Sequence, residues 1–238
     1  MTKINNSAKR EAGFSLVELA IVLIIIGLIV GGVLKGQDLV TSARINSIQT
    51  QLNEVRVASS TFLNKYDSLP GDITAANAVM VQAGLSSTGD NNGRIGGTGV
   101  SRMGSTATEP TWFWQHLRAA GLIGGVTTQA TGILGAADGL QSRVGGLYTI
   151  NYETINSITS HWIRLGTTTG AAPTDNSVAA LSPNQLRSVD TKGDDGLPNT
   201  GKIGGAGTGT TCATGATSTD TYQTTNPDTV SCWAHFQL

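Results

Sequence analysis

Three carboxylates lie close together at Asp190, Asp194 and Asp195, the densest set of possible ligands in the chain. Hard oxygen donors in a Gly-containing turn, completed by Asn199 or a backbone carbonyl, suit Ca²⁺. Lys192 sits between them and can neutralise one, and Gly196 and Pro198 also suit a plain turn carrying surface acids. Asp90-Asn91-Asn92-Gly93 offers a second cluster of oxygens. The full EF-hand pattern with its terminal Glu is absent there, and a turn is the simpler reading. The three histidines, His116, His161 and His235, are scattered. No Gly-x-Ser-x-Gly, His-Glu-x-x-His or phosphate loop occurs. No nucleophile, base and acid assemble, which argues against an enzyme. Cys212 and Cys232 read as a disulfide outside the cytoplasm and as two free thiols inside it. Where the chain resides is decided by the apolar stretch around one more carboxylate, Glu18, and by the charges before it.

Glu18 is the only charge in Phe14–Leu34, FSLVELAIVLIIIGLIVGGVL, and Ser15 is the only other polar side chain there. As a helix this stretch is roughly 30 Å long, enough to cross a bilayer core. A charge within such a span costs about 2.5–3.5 kcal/mol on insertion scales. Lys3, Lys9 and Arg10 precede it, and positive charge keeps that side in the cytoplasm. The chain beyond the span is therefore expected to be exported. The apolar run is too long for a secretory signal, and KGQDLV after it holds no Ala-x-Ala site.

Lys9-Arg10-Glu11-Ala12-Gly13 followed by Phe14-Ser15-Leu16-Val17-Glu18 resembles the prepilin motif of type IV pilins and type II secretion pseudopilins. The resemblance implies cleavage between Gly13 and Phe14 by a prepilin peptidase, then N-methylation of Phe14. It implies assembly through Glu18, paired with the N-terminal amine of a neighbouring subunit. The physics agrees: an amine and a carboxylate attract strongly at low dielectric, and an unpaired buried carboxylate is costly. Glu18 then sets the axial register of a helix bundle. The alternative is that Glu18 snorkels to the headgroups.

Beyond Lys35 the pattern turns amphipathic, with Ile45, Ile48, Leu52, Val55, Phe62 and Tyr66 at three- and four-residue steps. A helix of about fifty residues is expected to end near Asp67-Ser68, before Leu69-Pro70-Gly71. Tyr66-x-x-Leu69-Pro70-Gly71-Asp72 resembles a segment of a pilin-like subgroup, and Asp72 suits the cap of a short helix through Val81. Residues 84–108 and 124–146 read as Gly- and Thr-rich loops. Glu109–Ile123 reads as a helix, with Pro110 in its first turn, Gly121 at its stop and His116 a surface or packing residue. Its LRAAGLI ending is similar to the same subgroup. Leu147–Ile158 and His161–Leu165 alternate and read as two antiparallel strands, with His161 and Arg164 on the open face. Ser182-Pro183-Asn184-Gln185 is a capping box opening a helix through Val189. Trp233 and Phe236 are expected to pin the C-terminus.

Composition supports this division. The chain has 31 glycines, 13% charged residues and a net charge of −1, so no basic field points to nucleic acid. The expectation is an α+β, pilin-like lollipop, with a long N-terminal helix on a small antiparallel sheet with long Gly/Thr-rich loops. The leader is 1–13, the transmembrane and assembly helix 14–67, and the extracytoplasmic head 68–238. The resemblance implies a structural subunit of a type IV pilus or type II secretion pseudopilus, with a minor adhesive tip subunit or a membrane-anchored periplasmic enzyme as alternatives. Its partners would be other pilins or pseudopilins, the prepilin peptidase and methyltransferase, and an inner-membrane assembly platform. Before assembly it would be a single-pass inner-membrane protein with a periplasmic head. The resemblance also implies that the Cys212–Cys232 disulfide bounds an exposed C-terminal region.

Overall fold

The computed structural model describes residues 15–74, 77, 81, 89–96, 108–125, 139–167 and 179–238. Gly13 and Phe14, and most of the loops expected at 84–108 and 124–146, lie outside them; the described part of the second contains a two-residue strand, Leu140–Gln141, rather than loop alone. The chain is α+β. Helix α1 (Leu16–Tyr66) is followed by α2 (Glu109–Ala119), β1 (Leu140–Gln141), β2 (Leu147–Ile155), β3 (Ile158–Gly166), α3 (Pro183–Gly193), β4 (Ile203–Ala206) and β5 (Trp233–Gln237). The chain divides into two compact units, 1–42 and 43–238.

In the first unit α1 is apolar all round from Leu19 to Leu34, and from Leu16 to Leu34 its large hydrophobic side chains are exposed. Such a helix is a membrane span or the core of a bundle. It is long and apolar enough to cross a bilayer.

In the second unit α1 buries a single stripe of Ile45, Ile48, Leu52, Val55, Ala58, Phe62 and Tyr66. The helix stops where Asp67 takes φ 51°. Gly71 follows with φ 91°, and a Cβ there would sit 2.6 Å from the Glu109 carbonyl. Only glycine lets the turn after α1 approach the start of α2 this closely. At the other end of α2, Leu122 N–H reaches the Leu117 carbonyl and Gly121 N–H the Arg118 carbonyl. This is the Schellman pattern of helix closure.

The antiparallel sheet has the order β1-β2-β3-β5-β4. Its register places Ile150 opposite Ile163, Ile163 opposite Phe236, and Phe236 opposite Ile203. These residues form one apolar face, joined in the core by Phe113, Trp114 and Leu117 of α2 and Leu186 and Val189 of α3. β2 stops at Ile155 because Asn156 and Ser157 both take positive φ, 51° and 63°, and turn the chain into β3. The second face is covered, contrary to the open face expected: Thr149, Asn151, Trp162 and His235 on it are all buried. His161 and Arg164 cannot share a face, because strand residues three apart point to opposite sides. His161 is half-buried, and its Nε2 accepts from Ile95 N–H at 3.1 Å.

Ser182 and Gln185 form the reciprocal capping box, and α3 runs to Gly193 rather than stopping at Val189. Strand β4, Ile-Gly-Gly-Ala, is the edge of the sheet. A Cβ on Gly205 would lie 2.1 Å from Leu186 Cδ2. The glycine is there because α3 packs directly onto the strand.

Candidate functional site

The N-terminal end of α1 is built by Ser15 and Glu18. Ser15 precedes the helix and Glu18 occupies its third position. Glu18 Oε2 accepts from Ser15 N–H at 2.9 Å, and Ser15 Oγ accepts from Val17 N–H at 3.3 Å. Two of the N–H groups at the helix start thus find side-chain acceptors, and the carboxylate lies at the positive end of the helix dipole. Ser-x-x-Glu is a capping-box spacing legible in the sequence. The cap turns the Glu18 carboxylate back towards the helix start, onto Ser15 N–H.

The acidic corner draws on α3, the loop after it and the disulfide loop. One oxygen from each of Asp190, Asp194 and Asp195 lies within 4.8 Å of the others. Asp190 belongs to the last turns of α3 and is fully buried. Its Oδ2 accepts from Tyr222 Oη at 2.7 Å and its Oδ1 from Gly196 N–H at 3.1 Å. Burial pushes its pKa up to about 7, outweighing those two bonds, and the negative charges of Asp195 and Asp194 add to the rise. Burial and the Asp190 charge likewise push the Tyr222 hydroxyl up. Asp194 Oδ2 accepts from Lys202 N–H and from Ile203 N–H, holding the start of β4. Asp195 accepts from Leu197 N–H at 2.9 Å and from the Thr200 hydroxyl. Lys192 does not neutralise the corner; its Nζ donates to Asn46 Oδ1 on α1 at 2.9 Å. The corner holds hard oxygens of one sign, the donor chemistry of a Ca²⁺ ligand set. It also closes on itself through hydrogen bonds from the protein.

A second acidic group joins Asp72, Asp90 and Glu109, again with one oxygen each within 4.8 Å. The sequence groups Asp90 to Gly93 but not Asp72 and Glu109, which only folding brings to them. Asp72 does not cap a helix here: its two oxygens accept from Asn92 N–H and Gly93 N–H. Thr74 Oγ1 instead lies 3.5 Å from Asn77 N–H. Glu109 accepts from Asp90 N–H and Gly96 N–H. Burial raises the pKa of both Asp72 and Glu109, and their backbone donors oppose it. These acids hold the 90–96 turn to the start of α2. His116, expected as a surface or packing residue, is fully buried beside them: Nδ1 accepts from Gly71 N–H at 2.8 Å and the ring stacks on Phe62.

Cys212 and Cys232 are joined, with Cα atoms 5.0 Å apart. Both are fully buried. Cys232 also bridges to Leu181 just before α3. The disulfide loop is tied to α3 by Tyr222 on Asp190 and by Asn184, which donates to the Pro227 carbonyl and to Asp228, and to Leu181 before α3 by this bridge.

No curated protein and no solved structure matches the chain. Residues 8–34, which contain the cap and the exposed apolar helix, match the family model of the prokaryotic N-terminal methylation motif, and the chain thereby carries the type IV pilin/pseudopilin signature.

Proposed function

We propose that the protein is a structural subunit of a type IV pilus or type II secretion pseudopilus. It is a membrane-anchored precursor that is cut between Gly13 and Phe14, methylated at Phe14, and assembled through α1. The observation that carries this reading is the coincidence of the methylation motif at residues 8–34 with a helix whose apolar side chains are exposed from Leu16 to Leu34. Such a surface is satisfied by lipid before assembly and by neighbouring helices after it. Glu18 is costly in lipid and useful in a bundle, where the amine created at Phe14 of a neighbour neutralises it.

Calcium has a place in the same reading. Asp190, Asp194 and Asp195 would hold it, and it would supply positive charge to a corner whose nearest lysine in sequence, Lys192, is engaged elsewhere. The test of the main proposal is the N-terminus of the exported chain. Mass spectrometry should find methylated Phe14 first, and Gly13→Val should leave an uncut precursor in the inner membrane. A mature chain beginning at Phe14 in that variant would sink the assignment.

A further inference from the structure

The geometry points to a binding groove for an acidic peptide segment on the head, formed by α1 and the ends of α3, β4 and β5. The groove has a volume of about 760 Å³. It follows α1 from Gln49 to Leu63, roughly 20 Å of helix, and Gly193, Ile203 and Gln237 close its other side. Three cations line it, Arg56 from α1, Lys192 from α3 and Lys202 just before β4; no Asp or Glu side chain does, and the last residue, Leu238, completes the lining. The acid next in sequence, Asp194, is bound to the backbone N–H groups of Lys202 and Ile203.

Arg56 makes the groove a prepared site. Its guanidinium donates to the Gln237 carbonyl at 2.7 Å and to Asn53 Oδ1 at 3.2 Å. Both acceptors are neutral, so the group is held in place and half-buried with its charge uncompensated by them. Burial alone lowers its pKa. Lys192 is likewise steadied by a neutral partner, Asn46, and remains exposed. A fixed guanidinium in one groove with two ammonium groups can recognise carboxylates through charge-assisted hydrogen bonds. The length of the groove and the amide and hydroxyl groups of Gln49, Asn53 and Ser60 along it suit an extended chain better than a single small anion. No aromatic side chain lines it, so it offers nothing for a nucleic-acid base to stack on. The occupant is an acidic segment of a neighbouring subunit. That identity rests on the filament reading; the binding chemistry does not.

The experiment uses the full chain in detergent micelles and a short fluorescein-labelled peptide of Asp and Glu residues, followed by anisotropy. Binding is expected at low salt, and it should weaken at least about tenfold in the double variant Lys192→Gln, Lys202→Gln. It should also fall steeply towards 1 M NaCl, where the screening length is about 3 Å. Both lysines are exposed, so the variant keeps the fold, which the circular dichroism of α1 verifies. Unchanged affinity in the double variant would overturn the site, as would equal binding of the matching Asn and Gln peptide. Displacement of the peptide by an equal concentration of inorganic phosphate would reassign the groove to small anions. Because the assay needs neither cleavage at Gly13 nor assembly, it can fail while the filament reading stands.

Discussion

At Glu18 two accounts of one carboxylate make different demands on its charge. The cap needs only an acceptor that can reach Ser15 N–H, which a glutamine supplies as well as a glutamate. Pairing with a neighbour's amine needs the negative charge. Glu18→Gln should therefore insert into the membrane and start α1 normally, yet lose assembly as completely as Glu18→Ala. Sheared filament or secretion yield reads this out, and wild-type assembly of Glu18→Gln would leave the cap as the whole role. Asp190 makes the second residue-scale test. Its pKa in the folded chain, about 7, lies above the unfolded value near 4, so its contribution is fully present below about pH 4. It is lost as pH rises through 7. In EDTA the head should be less stable at pH 8 than at pH 5, by up to about 2.5 kcal/mol from this group. Asp72 and Glu109, also raised, act in the same direction. Thermal melts of Asp190→Asn should show a shallower pH slope, and Ca²⁺ should raise the melting temperature of the wild type at pH 8 and not of the variant. An unchanged slope would mean that Asp190 is ionised in the folded chain at pH 5.

The elements show where local chemistry and tertiary packing part company. The β2–β3 turn is a two-residue reversal with both residues at positive φ, the geometry that favours Asn-Gly. Here it is Asn156-Ser157, and the serine carries a left-handed penalty of about 1 kcal/mol. Ser157→Gly should raise the melting temperature by roughly 2–4 °C, checked by near-ultraviolet dichroism, whose signal includes the buried Trp162. A lower melting temperature would show that the side chain is needed in the turn. The absence of a glycine is also why β2 reads through to Ile158 in the sequence. Strands β2 and β3 were legible because their alternation and β-branched residues are local signals. Strand β4 was not, since the Gly-Gly-Ala of Ile-Gly-Gly-Ala has little strand propensity and Gly205 is required by Leu186 of α3 packed on it. The stripe from Ile45 to Tyr66 was legible because a helix reports its buried face at each turn. Of the site, the Ser15-x-x-Glu18 spacing was readable and was overshadowed by the motif around it. The meeting of Asp72 and Glu109 with Asp90 was not readable, because it depends on how α2 packs at the end of α1.

For the whole molecule the decisive quantity is the apolar surface of the first unit. From Leu16 to Leu34 each of the large hydrophobic residues is about half exposed or more, from Val22 at 49% to Leu16 at 86%. Burying such a side chain fully is worth about 1.5–3 kcal/mol, so the sum far exceeds the stability of a typical domain. In water this helix has no acceptable resting place; lipid or like helices must cover it. The two coverings predict different behaviour in extraction. A precursor made without an assembly apparatus should stay with the membrane through high salt and alkaline carbonate and leave it only in detergent. The same chain cut at Gly13 and assembled should be recovered in sheared filaments without detergent, because neighbouring helices have replaced the lipid. Recovery of the uncut chain as a detergent-free monomer would show that another part of the protein covers α1, and the anchor reading would fall with it.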